Sequence, residues 1–165
     1  MKKLLLNSAK TLRLVGLVIL AGAFTITQTG CSTEGCTEAT ATNFDDKADD
    51  DDGSCIFERD AIIGSYNNST DGCLPGESFN MTVTAGPGST NQISISNFGG
   101  FGSAVSVNAT VTGSSISLQS GSLGAGSSLL SGSGSISGSL LTINYTYDDQ
   151  GGDQFTCTIN ATKSN

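Results

Sequence analysis

The segment Val105-Ser106-Val107-Asn108-Ala109-Thr110-Val111 alternates strictly between apolar and polar side chains. Successive side chains of a β-strand point to opposite faces of a sheet, so this segment would present one apolar and one polar face. The same alternation recurs in residues 79–84, 93–96, 141–147 and 155–161. No stretch of 12 residues after residue 30 has the apolar spacing of a helix. We therefore predict an all-β domain.

Turn residues interrupt the alternation at short intervals and set the number of strands. The strongest turn signals are Gly86-Pro87-Gly88, Gly99-Gly100, Gly113-Ser114, Gly138-Ser139 and Asp149-Gln150-Gly151-Gly152. They predict strands at residues 61–67, 77–85, 91–98, 103–112, 114–120, 127–137, 139–148 and 153–163. About eight short strands with one apolar face indicate an antiparallel meander that closes into a barrel, and a β-sandwich is the alternative.

The stretch from Gly121 to Gly138 is rich in Gly and Ser, a composition that flexible linkers share. Its apolar residues nevertheless indicate contact with a core; they are Leu123, Leu129, Leu130 and Ile136. We interpret the stretch as two weak or edge strands joined by a mobile loop.

Composition excludes several classes of function. The chain has 165 residues, with 7 Lys and Arg against 15 Asp and Glu, and it contains neither His nor Trp. Nucleic-acid binding needs basic side chains that replace counterions, so the acidic balance argues against it. Without His, Ser-His-Asp and Cys-His catalysis are excluded. We predict a monomer that is not an enzyme and has no cofactor, with calcium as the one ion to consider.

The amino terminus has the pattern of an export signal. Lys2, Lys3, Lys10 and Arg13 precede an apolar run at residues 14–24. Eleven apolar residues suit a secretory signal but are short for a membrane span, which needs about 20. A buried core helix is the alternative interpretation of this run.

The end of the run, Thr29-Gly30-Cys31, resembles a bacterial lipobox, in which a small residue precedes a cysteine that is acylated. The resemblance implies removal of residues 1–30, lipidation of Cys31 with acyl chains such as palmitate, and an outer-membrane location facing the periplasm or the cell surface. The mature chain then keeps three basic residues against 15 acidic ones, a net charge of −12. The alternative is an ordinary signal peptide, with Cys31 as a disulfide partner.

Residues 31–58 form an acidic segment in which six of the eight positions from Asp45 to Asp52 are Asp. Such a run is either a solvated spacer or a cation site, because carboxylate oxygens are the ligands that calcium prefers. The candidate calcium ligands are Asp45, Asp49, Asp50, Asp51 and Asp52.

Part of this segment resembles a short repeat found in exported bacterial proteins and related to thrombospondin type 3 repeats. The matching residues are Gly35-Cys36-Thr37, Ala41, Asn43-Phe44-Asp45, Ala48 and Asp51-Asp52-Gly53-Ser54-Cys55. The resemblance implies a Cys36–Cys55 disulfide. If Cys31 carries lipid, Cys73 and Cys157 are the remaining pair, and their bond would join the first and last strands of a closed barrel.

A second resemblance covers roughly residues 60–163 of the predicted β-domain, which spans residues 59–165. Gly64-Ser65-Tyr66 and residues 95–102 and 132–138 look like lipocalin-like domains of bacterial lipoproteins. This implies an eight-stranded antiparallel meander that binds a ligand or stabilises the cell envelope. Tyr66 stands where lipocalins have Trp, and a domain of this size can instead fill its barrel with its own side chains.

Few residues are candidates for binding or chemistry. Tyr66, Tyr145 and Tyr147 would either line a ligand pocket or pack in the core. Phe98 and Phe101 bracket Gly99-Gly100 and would form either an exposed aromatic loop or an inward bend. The acids of the last hairpin, Asp148, Asp149 and Asp153, suit a solvated turn better than a glycosidase pair. Two hypotheses result: a module that binds a small apolar or glycan-like ligand, or a structural or interaction protein with a filled barrel.

Overall fold

A computed structural model describes residues 32–164. The predicted signal peptide at 1–30 and the predicted lipidation site Cys31 lie outside the described residues. The following description concerns the compact unit that begins at Thr33.

The described chain is almost entirely β-structure, which confirms the predicted fold class. Two short strands, β1 (Glu34–Gly35) and β2 (Asp50–Asp51), pair in parallel within the acidic segment. One-turn 3-10 helices span Glu58–Ala61 and Phe98–Gly100. The remaining strands are β3 (Gly64–Asp71), β4 (Phe79–Ala85), β5 (Gln92–Ser96), β6 (Ser106–Thr112), β7 (Ser115–Leu118), β8 (Gly121–Gly124), β9 (Ser127–Ser137), β10 (Leu140–Asp148) and β11 (Gln154–Lys163).

Strands β3 to β11 form a closed antiparallel barrel with eight strand positions, of which β7 and β8 together occupy one. Each position pairs with the next along the chain, and β11 pairs with β3 to close the barrel. Closure also requires β9 to pair with β10, as it does from Leu140 opposite Ser137 to Asp148 opposite Ser128. The meander prediction is therefore confirmed, and the β-sandwich alternative is wrong for this chain.

Two details differ from the predicted strands. The strand opposite β9 continues past Leu118 as β8, because β7 pairs with one half of β9 and β8 with the other half. The first strand lies later than predicted, at Gly64–Asp71, and extends through a stretch predicted to be a loop. A register shift between Tyr66 and Ser69 breaks the period of two there, so the alternation rule ends the strand too early.

The barrel interior is filled by inward side chains of strands β3 to β11, together with Ile62 just before β3 and Phe98 in the second 3-10 helix. The largest fully buried ones are Tyr66, Phe98, Ile62, Met81, Ile93, Ile95, Ile116, Leu123, Leu129, Leu141, Ile143 and Ile159. They belong to one continuous apolar cluster. Burial of each such side chain contributes about 1.5–3 kcal/mol, so this cluster is the main source of stability.

The two ends of the barrel differ. At one end, here called the module end, lie the turns at residues 86–91, 113–114 and 138–139. Residues 33–57, here called the acidic module, contact this end: the hydroxyls of Thr40 and Thr90 lie 2.9 Å apart. Just after the module, Glu58 accepts a hydrogen bond of 2.8 Å from the Gly113 N–H. The opposite end, here called the distal end, is formed by residues 72–78, 97–105 and 149–153.

Both predicted disulfides are present. Cys36 bonds to Cys55 within the acidic module, with their Cα atoms 4.9 Å apart. Cys73 bonds to Cys157 across the closing pair of strands, with their Cα atoms 5.5 Å apart. The second bond joins the first and last strands at the distal end, as predicted.

Candidate functional site

Five aromatic rings form a continuous series of ring contacts at the distal end, here called the aromatic ladder; they are Phe98, Phe101, Tyr145, Tyr147 and Phe155. The ring centroids of Phe98 and Tyr145 lie 4.9 Å apart in an edge-on contact. Tyr145 stacks on Tyr147 at 6.0 Å, and Tyr147 stacks on Phe155 at 5.3 Å. Phe101 meets Tyr147 edge-on at 5.1 Å. The ladder therefore leads from the barrel core to the surface.

Strand register explains why three of these rings meet. Tyr145 and Tyr147 lie two residues apart on β10 and therefore share its inner face. Phe155 on β11 is directly opposite Tyr147, so the two rings stack across the strand pair.

A 3-10 turn brings Phe98 to the ladder. Asn97 and Gly99 in this turn have φ angles of 53° and 59°. A side chain at Gly99 would place its Cβ 2.9 Å from the Tyr145 hydroxyl oxygen, so glycine is needed there for the close approach. Phe98 is fully buried, which fits the inward bend rather than the exposed aromatic loop.

A buried carboxylate lies beneath the ladder. The Tyr145 hydroxyl donates a hydrogen bond of 2.6 Å to Oδ2 of Asp71, and the Cys73 N–H donates one of 2.8 Å to Oδ1. Burial of the phenol, followed by the hydrogen bond to Asp71, raises the pKa of Tyr145 well above its ordinary value. Asp71 is only 3% exposed, and sequence reasoning missed it. The sequence offered one indication of its place in the site, namely that Asp71 lies two residues before Cys73.

Tyr66 lies apart from the other candidate aromatic residues, toward the module end. Its hydroxyl donates a hydrogen bond of 2.7 Å to the Ile62 carbonyl, and its side chain is fully buried. Burial raises the pKa of Tyr66 to about 12. The structure thus brings together Tyr145, Tyr147, Phe98 and Phe101 but not Tyr66, and it adds Phe155, which the sequence analysis did not select.

Four acidic residues lie at the distal end, Glu77 in the connection between β3 and β4 and Asp148, Asp149 and Asp153 at the β10–β11 turn; they are here called the acidic rim. Asp149 Oδ1 accepts hydrogen bonds from the Gly151 and Asp153 N–H groups, at 2.8 and 3.0 Å. This carboxylate therefore holds the β10–β11 turn in shape, as the turn interpretation expects. Burial, and then the charges of Asp71 and Asp149, raise the pKa of Tyr147.

The candidate calcium ligands also serve as turn formers. Asp45 accepts a hydrogen bond from the Lys47 N–H, Asp51 from Gly53 and Asp52 from Ser54, at 2.9–3.0 Å. The Ser54 hydrogen bonds lower the pKa of Asp52. Asp49 and Asp50 instead bond through their backbone N–H groups to the Thr33 carbonyl.

In the described part of the acidic module, no three potential metal ligands have their donor atoms close together. Among residues 32–164, the one group of three potential ligands with donor atoms within 4.8 Å of one another is Asp71, Cys73 and Cys157. Its two sulfurs are joined as a disulfide, so they do not offer a thiolate to a metal. Calcium binding at Asp45 and Asp49 to Asp52 stays a prediction.

Open grooves lie on the outside of the barrel. One of about 350 Å³ runs over β9, β10 and β11, and its lining residues are Ser131, Gly132, Ser133, Asn144, Tyr145, Thr146 and Thr156. Another, of about 380 Å³, lies between the acidic module and the β4–β5 turn and includes Thr40, Phe57 and Thr90. Five of the seven residues that line the first groove are Ser, Thr or Asn, which carry hydroxyl or amide groups, and two of these, Thr146 and Thr156, already bond to each other at 3.2 Å.

Comparison with known proteins adds no family assignment: neither a family model nor a curated protein matches this chain. Within residues 32–164, no helix has the length and apolar character required to cross a membrane.

Proposed function

We propose that this protein is a lipid-anchored envelope protein whose barrel acts as a structural or interaction module and holds no ligand inside. The observation that supports the proposal most is the filled interior. Tyr66 and Tyr145, two candidate ligand contacts, are buried against the barrel's own core. Their hydroxyls already bond to Ile62 and Asp71, so a ligand would have to displace satisfied groups.

The proposed anchor is Cys31. Its support comes from the basic and apolar pattern of residues 2–24, followed by Gly30-Cys31. The chain has five cysteines, and the two disulfides use the other four. Cys31 therefore remains for acylation, and several acyl chains would give stable membrane attachment.

The acidic module then serves as a solvated spacer between Cys31 and the barrel. Its Cys36–Cys55 bond and its aspartate turns give it a defined shape, and most of its surface is exposed. The alternative function, binding of a small apolar or glycan-like ligand through Tyr66, Tyr145 and Tyr147, would require the core to open.

Native mass spectrometry of the purified mature protein tests the anchor and the filled barrel together. We expect a mass that begins at Cys31, carries acyl chains and shows no retained small molecule. The Cys31→Ala variant should lose the acyl mass and leave the membrane fraction. As a matched control, the Cys73→Ala/Cys157→Ala double variant should keep both.

Two results would contradict the proposal. An unchanged membrane fraction for Cys31→Ala would exclude this anchor. A stoichiometric small molecule retained by the unmodified barrel would favour the ligand-binding alternative.

A further inference from the structure

We propose that the distal end of the barrel docks a basic, Arg- or Lys-bearing segment of a partner protein on Tyr147, Phe155 and the acidic rim. This inference rests on the proposed role as an interaction module and names the chemistry of its partner.

The first support is an apolar surface where the ladder reaches solvent. Phe155 is 40% exposed, although it lies at an inward-facing position of β11. Leu74, also 40% exposed, lies on the same end, where it and Phe79 border Gly100. Tyr147 stacks against Phe155 and leaves part of that ring uncovered. Aromatic faces carry negative partial charge and attract guanidinium and ammonium groups.

The second support is the charge distribution of the barrel. Between residues 64 and 163 all five acidic residues lie at the distal end, namely Asp71 and the four members of the acidic rim. The one basic residue in that range, Lys163, lies at the module end, where its Nζ donates to the Ala61 carbonyl. Arg59 is also at that end, bonded to the Ser89 carbonyl. The described distal end therefore carries negative charge with no basic side chain beside it.

The surface offers an exposed ring and not an enclosed aromatic cage. Successive rings of the ladder contact one another at centroid distances of 4.9–6.0 Å, so neighbouring rings leave no room for a ligand between them. An organic cation enclosed by an aromatic cage would need space between rings that these contacts occupy. An exposed ring at the same end of the barrel as these carboxylates instead suits an extended chain segment that places one cation over Phe155 and others against the rim.

The test uses the mature lipidated protein in non-ionic detergent and a fluorescein-labelled peptide of alternating Arg and Gly, with anisotropy as the readout. Peptides with Gln or Glu in place of Arg serve as probe controls. We expect saturable binding of the Arg peptide alone. Phe155→Ala should weaken it about 10-fold, and Phe155→Leu nearly as much, since leucine keeps the apolar contact but lacks the ring.

The rim is tested with the Asp149→Asn/Asp153→Asn double variant, in which the amide oxygen introduced at position 149 can still accept the turn hydrogen bonds. We expect it to weaken binding about 5-fold, whereas two matched controls at the other end should change it less than 2-fold. Those controls are Asp50→Asn/Asp51→Asn, with the same change of charge, and Phe44→Ala, which removes a ring that is 45% exposed.

Three results would overturn the docking surface: no binding of the Arg peptide, equal binding of the Gln peptide, or equal weakening by the control variants. If Phe155→Ala does not fold, Phe155→Leu and the rim variant still decide the question. The proposed function fails separately, through a retained small molecule or an unacylated Cys31.

Discussion

The acidic module and the barrel are consecutive parts of one chain, yet different interactions hold them together. In the module, the pairing strands are two residues each, and Cys36 is the one buried apolar residue of the described 33–57 segment. A disulfide and the amide of Asn43, which bonds to Ser54 and Ile56 at 2.7 Å each, tie the module together. In the barrel, a continuous apolar core holds the strands together, and the disulfide is an addition to it. Segments that lack a core depend on covalent and polar ties.

The largest expected effect is on the barrel core. Ile143 is fully buried on β10, so Ile143→Ala should lower the free energy of unfolding by about 3–4 kcal/mol through lost burial and a cavity. The matched control is Ile56→Ala in the module, where the side chain is 53% exposed and the expected change is under about 0.5 kcal/mol. Urea unfolding of both variants checks this. Equal losses of unfolding free energy in the two variants would contradict the view that core burial stabilises the barrel.

The second prediction concerns the module disulfide. In the chain-entropy model, a loop of this size, with its cysteines 19 residues apart in sequence, contributes about 3 kcal/mol. Cys36→Ala/Cys55→Ala should therefore remove the protection of module amides from hydrogen exchange while the amides of β9, β10 and β11 keep theirs. Loss of protection in those strands would show that the barrel depends on the module.

The smallest of the three effects is the loss, at alkaline pH, of the stability that Tyr66 contributes to the barrel. Because burial raises the folded-state pKa of Tyr66 from 10.0 to about 12, its contribution to stability is complete below pH 10 and is lost as pH rises towards 12. By pH 11 the loss from this tyrosine should be about 1.4 kcal/mol. The module has no tyrosine and should not respond in this way.

Phenolate absorbance followed together with circular dichroism checks this prediction. Tyr66→Phe should reduce the dependence on pH above 10. A Tyr66 that ionises near pH 10 in the folded protein would contradict the burial argument.

The same contrast explains what the sequence could predict. Alternation of apolar and polar residues predicts the barrel directly, because each inward position of β6 or β10 must be apolar to enter the core. The pairing of Cys36 with Cys55 came from a resemblance, since the module has no periodic pattern to read. The Tyr66–Ser69 register shift and the strand break after Leu118 were missed, because both depend on the partner strand.

The aromatic ladder was predicted only in part for a similar reason. Tyr145 and Tyr147 share a face of one strand, and that much follows from their spacing. The strands that become neighbours when the barrel closes decide three things: Phe155 joins the ladder, Tyr66 lies apart from it, and Asp71 lies beneath it. Local sequence does not contain that information.

Xenon binding shows whether the barrel interior is filled. Methyl spectra of the mature protein, recorded by nuclear magnetic resonance under xenon pressure, report any apolar space inside the core. We expect the methyl signals of Ile93, Ile143 and Ile159 to stay in place in the unmodified protein. In Ile143→Ala, which opens a cavity, the signals of the neighbouring methyl groups should shift with pressure to saturation. Saturable shifts of the interior methyl groups in the unmodified protein would contradict the filled barrel and favour an internal ligand site.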